Sequence, residues 1–273
     1  MGDTAALARK LGLSSSSIPF SVSSVTSVTS VAGPLTLDLG NGVTMDFVYV
    51  PPGRITMGSP DSEAQRSNDE TQHEVTITKG FHLGKYEVTQ AQYEAVVGAN
   101  PSIRKEANRP VENVSWNDAT EFCNRMTQKT GRQIRLPTEA EWEYACRAGT
   151  TMPFHFGATI STDQVNYNGN YPYAGGRKGA YRQKTTDVGS FPANAWGLHD
   201  MHGNVWEWCS DWYGAYPTGP VSDSTGPANG TFRVVRGGSW YDLGHGCRSA
   251  SRRRYAPPSR DSSFGFRALL AER

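Results

Sequence analysis

From Leu35 the chain runs LTLDLGNGVTMDFVYV, two β-rich stretches separated by Asn41-Gly42. That dipeptide between such stretches predicts a β-hairpin closed by a type I′ turn. Pro51, Pro52 and Gly53 then interrupt the second run before Ile55 to Met57. SPDSEAQRSNDETQ is polar throughout and reads as a surface loop, and VTITKGFHLGKYEVT supplies two more short strands. Three helices follow. Thr89 with Gln92 forms a capping box that opens a helix through Val97. Ser115 is the N-cap of a helix over Trp116 to Thr130, where Ala119, Phe122, Cys123 and Met126 recur at helical spacing and Gly131 ends it. Thr138 with Glu141 opens a third, ended by Gly149; its apolar positions form no single stripe, so it is expected to pack on more than one side.

Beyond residue 150 the pattern offers only short strands and loops rich in aromatic residues. A few early helices followed by an irregular late half define an α+β class. Loops of that length inside a compact domain need an organising device, such as wedged aromatic rings or bound calcium. Residues 1–35 stand apart: a short helix around Ala5–Leu13, then a segment rich in Ser, Thr and Val that is either strand or tether. The organised domain is placed at 36–273.

Composition narrows the function. With 27 Lys plus Arg against 26 Asp plus Glu in 273 residues, nothing overall argues for nucleic acid or an acidic membrane surface. No run reaches the roughly 20 apolar residues of a membrane span. The N-terminal stretch lacks the apolar core of a secretion signal, so cytoplasmic residence is the default expectation. Cys123, Cys146, Cys209 and Cys247 form no CxxC pair and read as small buried side chains, not a disulfide framework.

Four strings, RLPTEAEWEYACRAGT, GLHDMHGNVWEWCSDWY, RVVRGGSW and CRSASR…GFR, resemble the formylglycine-generating enzyme family, also called sulfatase-modifying factors. They occur in the family's order, and the likeness runs from about Met45 to Leu270. It implies a C-type lectin-like fold of the formylglycine-generating enzyme type, with little regular structure supporting extensive ordered loops. The family's oxidase uses copper(I) and oxygen to turn a cysteine of a sulfatase peptide into formylglycine. It needs two cysteines five apart after the GGS motif, because soft copper(I) suits a pair of thiolates. Here Asp242 takes the first place and Cys247 the second. A hard carboxylate cannot complete that pair, so copper is not expected, and Cys247 is catalytic only if an oxidase activity survives. The iron-dependent sulfoxide-forming branch needs a helical N-terminal domain that residues 1–35 cannot supply. His199 and His202 are expected to be ordinary loop histidines. The resemblance also implies a structural calcium site at Asp200, Gly203, Val205 and Glu207, with two carboxylates and two backbone carbonyls. A second family site, starting at Asn166 and Tyr167, lacks its carboxylate, with Ala180 near that place.

Within the last motif pair, Gly237, Gly238, Trp240, Arg248, Arg252, Arg260 and Arg267 read as scaffold, the arginines holding loop carbonyls. The residues between them contain no Asn, Lys, Glu, Gln, Met or Trp from Tyr241 to Phe264. That resembles the variable proteins of diversity-generating retroelements, whose mutated AAC codons become NNC and cannot encode the last five. The resemblance implies a non-catalytic binding protein with a diversified surface at about 241–264. Its expected ligand-contacting residues are Tyr241, Asp242, Leu243, His245, Ser251, Arg253, Arg254, Tyr255, Ser259, Asp261, Ser262, Ser263 and Phe264, meeting a protein or other macromolecular ligand. Tyr, Ser and Gly suit such loops because they combine rigid contact with adaptable polar groups. The alternative is an oxidoreductase or a divergent member of the formylglycine-generating enzyme type.

Overall fold

A computed structural model describes residues 33–272. The short helix and the Ser/Thr/Val-rich segment expected before Gly33 lie outside the described residues. In chain order the strands are β1 (Leu35–Gly40), β2 (Val43–Val50), β3 (Gly53–Met57), β4 (His73–Ile77), β5 (Phe81–Gly84), β6 (Ile134–Arg135), β7 (Trp206–Trp212), β8 (Val221–Ser222), β9 (Arg233–Arg236), β10 (Arg252–Tyr255), β11 (Phe264–Gly265) and β12 (Leu269–Ala271). Helices α1 (Gln90–Val97), α2 (Trp116–Thr130) and α3 (Glu139–Arg147) sit among the early strands. The sheets run β1-β2-β5-β12-β6, β10-β9-β7-β11 and β3-β4-β8. Strand β12, from the C-terminal end, inserts between β5 and β6, so both ends of the domain share one sheet. None of the described helices is long and apolar enough to cross a membrane.

Local chemistry explains the early elements. Asn41 and Gly42 both have positive φ (55° and 77°), as a type I′ turn requires. Alternation along β1 and β2 then turns Leu37, Leu39, Met45 and Phe47 into the core. All three helices carry the reciprocal capping box read from sequence, Thr89–Gln92, Ser115–Asp118 and Thr138–Glu141. The apolar stripe of α2 packs with Tyr93 and Phe266, whose rings meet Phe122 at 5.6 and 5.2 Å. Helix α3 is buried on several sides, as its broken stripe implied. It stops one residue earlier than Gly149: Ala148 itself takes the left-handed cap conformation (φ 44°).

The late half is held by buried guanidinium groups. Arg236 bonds Glu143 and the carbonyls of Ser249, Ala250 and Ser251. Arg252 grips Glu139 through two bonds of 2.8 and 2.7 Å and also reaches the Gly214 carbonyl. Arg248 clasps Glu70 through two 2.7 Å bonds and Glu63 through a third. The segment around residues 59–72 is therefore not a simple surface loop: its Glu63 and Glu70 side chains point inward because Arg248 needs counter-charge. Arg260 departs from its expected scaffold role. It is exposed and pairs with Asp118 instead of gripping backbone.

Breaking such a pair leaves a buried charge. Arg236→Met is expected to cost about 3–5 kcal/mol in chemical denaturation. Arg125→Met, in the exposed Arg125–Glu121 pair, should cost no more than about 1 kcal/mol. Equal losses at the two positions would contradict this account.

Candidate functional site

Strand β9 delivers the chain to Gly237 and Gly238, both at positive φ (95° and 77°). A β-carbon on Gly238 would lie 2.6 Å from Cys247 Sγ and 2.9 Å from the Gly246 carbonyl oxygen, so glycine is needed for the following turn to fold back. Residues Gly244–Cys247 close that turn as a short 3₁₀ segment.

Asp242 lies at the centre of the turn and is buried. Its Oδ2 accepts hydrogen bonds from Trp206 Nε1 at 2.7 Å and Ser239 Oγ at 2.5 Å. Its Oδ1 faces Arg253 at 3.3 Å. The carboxylate at the family's first cysteine position is thus a structural lock. Cys247 is completely buried, and burial, then the Asp242 charge, push its thiol well above the usual range. All four cysteines are free and buried. A neutral lone thiol beside a carboxylate does not fit the soft-metal pair that copper(I) requires.

Beneath Cys247 lies a histidine pair. His202 Nδ1 donates to the Cys247 carbonyl at 2.7 Å, leaving Nε2 to accept from the His155 backbone N–H at 3.2 Å. His202 is therefore a buried structural group, not an open loop residue. The two rings stack at 4.8 Å, and neither ring nitrogen of His155 has a hydrogen-bond partner. Burial pushes His155 down to about 4 and holds His202 well below the ordinary value.

The thirteen residues expected to contact ligand do not share one face. Tyr241 (64% exposed), Leu243 (38%), Arg253, Arg254 and Asp261 are exposed, while His245, Tyr255, Ser259 and Ser262 are half-buried. Four turn inward, contrary to that expectation: Asp242, Ser251, Ser263 and Phe264. Asp242 is the lock just described. Ser251 is buried where its carbonyl meets Arg236, and Ser263 Oγ donates to Asp261 at 2.6 Å. Phe264 packs edge-on to Trp208 and against Tyr255. Strand β10 then divides its neighbours: Arg253 lies over the Trp206 ring, Arg254 over Tyr213. Successive strand residues face opposite ways. The displayed set is therefore Tyr241, Leu243 and Arg253, with His245 beside them. Sequence reasoning missed Tyr171 and Tyr181, which belong to a neighbouring loop; their clustering of aromatic residues with glycine was the available signal.

The expected calcium residues Asp200, Gly203, Val205 and Glu207 are all buried. Glu207 is already engaged: Oε1 accepts from Arg267 at 2.8 Å, and Oε2 from Trp142 Nε1 at 2.8 Å and Arg267 Nε at 3.0 Å. Asp200 accepts from the Gly189 N–H at 2.6 Å, and burial lifts it to about 6. Gly203 is required by close approach, since a β-carbon there would lie 2.4 Å from the Asn166 carbonyl oxygen. The Arg267 guanidinium sets one positive charge against Glu207. Burial, then the charges of Asp200 and Glu207, push the Glu87 carboxyl well above the usual range, and one of its oxygens has no partner. Among the described residues no group of three or more His, Cys, Asp or Glu is placed to hold a metal ion.

This arrangement, a lectin-like frame carrying the GGS turn, defines the formylglycine-generating enzyme type of C-type lectin-like fold. Residues 40–272 match the sulfatase-modifying factor enzyme 1-like domain, and the chain belongs to that family. It is 30% identical to the formylglycine-generating enzyme of Mus musculus over 282 residues, covering 81% of this chain and 74% of that protein. Among solved structures it resembles variable protein 1 of Treponema denticola, with a TM-score of 0.74 and 28% identity, covering 87% of this chain and 98% of that one. It is also similar to PvdO from Pseudomonas aeruginosa, with a TM-score of 0.75 and 30% identity over 86% and 97% of the two chains.

The histidine pair makes a pH prediction. His155 is about 4 when folded and near 6.5 when unfolded. The unfolded chain therefore takes up the proton first, and stability falls as pH drops from 6.5 through about 4, by about 3 kcal/mol for this group. Asp200 and Asp211, lifted to about 6 and about 7, act with the opposite sign. The difference between wild-type and His155→Phe unfolding curves isolates the histidine: the variant should gain relative stability below pH 6.5. A difference independent of pH would show that His155 takes up its proton as readily in the folded chain as in the unfolded one.

Proposed function

We propose that this chain is a non-catalytic ligand-binding member of its family, displaying side chains on C-terminal loops to a protein or other macromolecular partner. The observation that carries this reading is the Asp242 lock. A carboxylate bonded to Trp206, Ser239 and Arg253 occupies the position of the first oxidase cysteine, and the remaining thiol is buried and neutral. The same lock holds the backbone that presents Tyr241 and Leu243 outward. Loops fixed on a rigid frame can change their exposed side chains without disturbing the core. Resemblance to the Treponema variable protein supports this reading. Resemblance to the mouse enzyme and the retained Cys247 support the alternative, a formylglycine-type oxidoreductase.

Two measurements separate the readings. Replacing Tyr241 and Leu243 together by Ala should shift the thermal midpoint by no more than about 3 °C, because exposed substitutions away from buried features cost little. Asp242→Ala leaves the buried Trp206 N–H unsatisfied, costing about 1–3 kcal/mol, and should lower the midpoint further. In the second measurement, copper-loaded protein with a sulfatase-motif peptide should consume no oxygen. Turnover that disappears in Cys247→Ser would establish the oxidase instead.

A further inference from the structure

The displayed residues are continuous with a second loop outside the C-terminal segment. The Asn168 N–H bonds the Asp242 carbonyl at 2.9 Å, and the Gly244 N–H bonds the Tyr171 carbonyl at 3.0 Å. Aromatic rings bridge the two: Tyr181 stacks on Trp240 at 6.4 Å, and Trp240 meets Tyr241 edge-on at 5.7 Å. Tyr171 is 58% exposed. Trp240 also borders a cavity of about 170 Å³ shared with Ile103, Arg104, Lys184 and Ser262.

Basic residues predominate on this loop. From Gln164 to Thr186 there are four, Arg177, Lys178, Arg182 and Lys184, and no Asp or Glu; the exposed Asp163 and Asp187 flank the span, and Asp187 pairs with Arg109. Arg182 is used internally, bonding the Thr162 carbonyl at 2.8 Å and lying over the Phe191 ring. Arg177, Lys178 and Lys184 are exposed, and none has an ion-pair partner among the described residues. Arg104, across the cavity from Lys184, is likewise exposed and unpaired. The cavity's one carboxyl, Glu112, turns an oxygen to the backbone N–H groups of Ile103 and Arg104. In a chain of net charge +1, this is a local positive field beside exposed apolar side chains.

We infer that the 164–186 loop is the second half of the recognition face, and that the partner is a protein meeting it with an acidic segment. Apolar side chains of that segment rest on Tyr171, Tyr241 and Leu243, while its carboxylates face Arg177, Lys178, Lys184 and Arg104. Leu243 and the 65% exposed Ile103 favour a peptide over nucleic acid, since neither offers a stacking ring or a phosphate contact. The inference rests on the display reading and names the chemistry of its partner.

The probe is a short fluorescein-labelled peptide of alternating Glu and Leu, compared by anisotropy with its Gln–Leu and Lys–Leu counterparts and with an oligothymidylate. The Glu–Leu peptide should bind about tenfold tighter than the Gln–Leu peptide and weaken with salt. The Lys178→Glu/Lys184→Glu variant, whose folding is checked by its thermal midpoint, should lose about tenfold in affinity for the Glu–Leu peptide. Equal binding of Glu–Leu and Gln–Leu peptides, no binding of either, or tighter binding of the oligonucleotide would overturn the inference. Loss of peptide binding in Tyr241→Ala with normal binding in the charge-reversed variant would also overturn the acidic assignment, yet leave the display reading standing.

Discussion

Buried pairing of arginine with glutamate is the constraint on which the structure depends. Arg236, Arg248, Arg252 and Arg267 each hold a carboxylate from a distant part of the chain and, with spare donors, the carbonyls of irregular loops. A planar guanidinium offers five donors in a fixed fork, so a single side chain can satisfy backbone that no β-ladder reaches. Burying the charges is costly, and the pairs are better read as devices of specificity than as surplus stability. They define where residues 59–72, helix α3 and the C-terminal turn must meet.

That rigidity gives the displayed surface its character. The Asp242 carboxylate and the two left-handed glycines hold the turn, so the exposed Tyr241 and Leu243 contribute little to holding it together. The neighbouring loop is fastened to the same turn through its backbone, not through the side chains that face solvent. Chemistry follows from the same contacts. Where an oxidase would present two thiolates, this chain presents one protonated thiol and a carboxylate already committed to an indole and a hydroxyl.

Much was legible in the sequence because it depends on near neighbours. The Asn-Gly hairpin, three capping boxes and the glycine after α2 are interactions within a few residues, and they formed as the pattern required. The motif strings likewise identified the family. The site was legible only in part. Arg253 and Arg254 are adjacent and alike in sequence, yet the pleat of β10 sends them to opposite faces. Ser251, Ser263 and Phe264 lie among residues of exposed type, and nothing local distinguishes them.

The sequence by itself determined the helices, the first hairpin, the family and the absence of a second thiol in the GGS segment, since each is read from residue identity and short-range spacing. Only the tertiary structure decided which members of the C-terminal segment face solvent, that Glu63 and Glu70 turn inward, and that Arg267 meets Glu207. Those outcomes depend on which distant charges and rings arrive at the same place. Side-chain burial is set by partners far along the chain, and a single sequence does not state who those partners are.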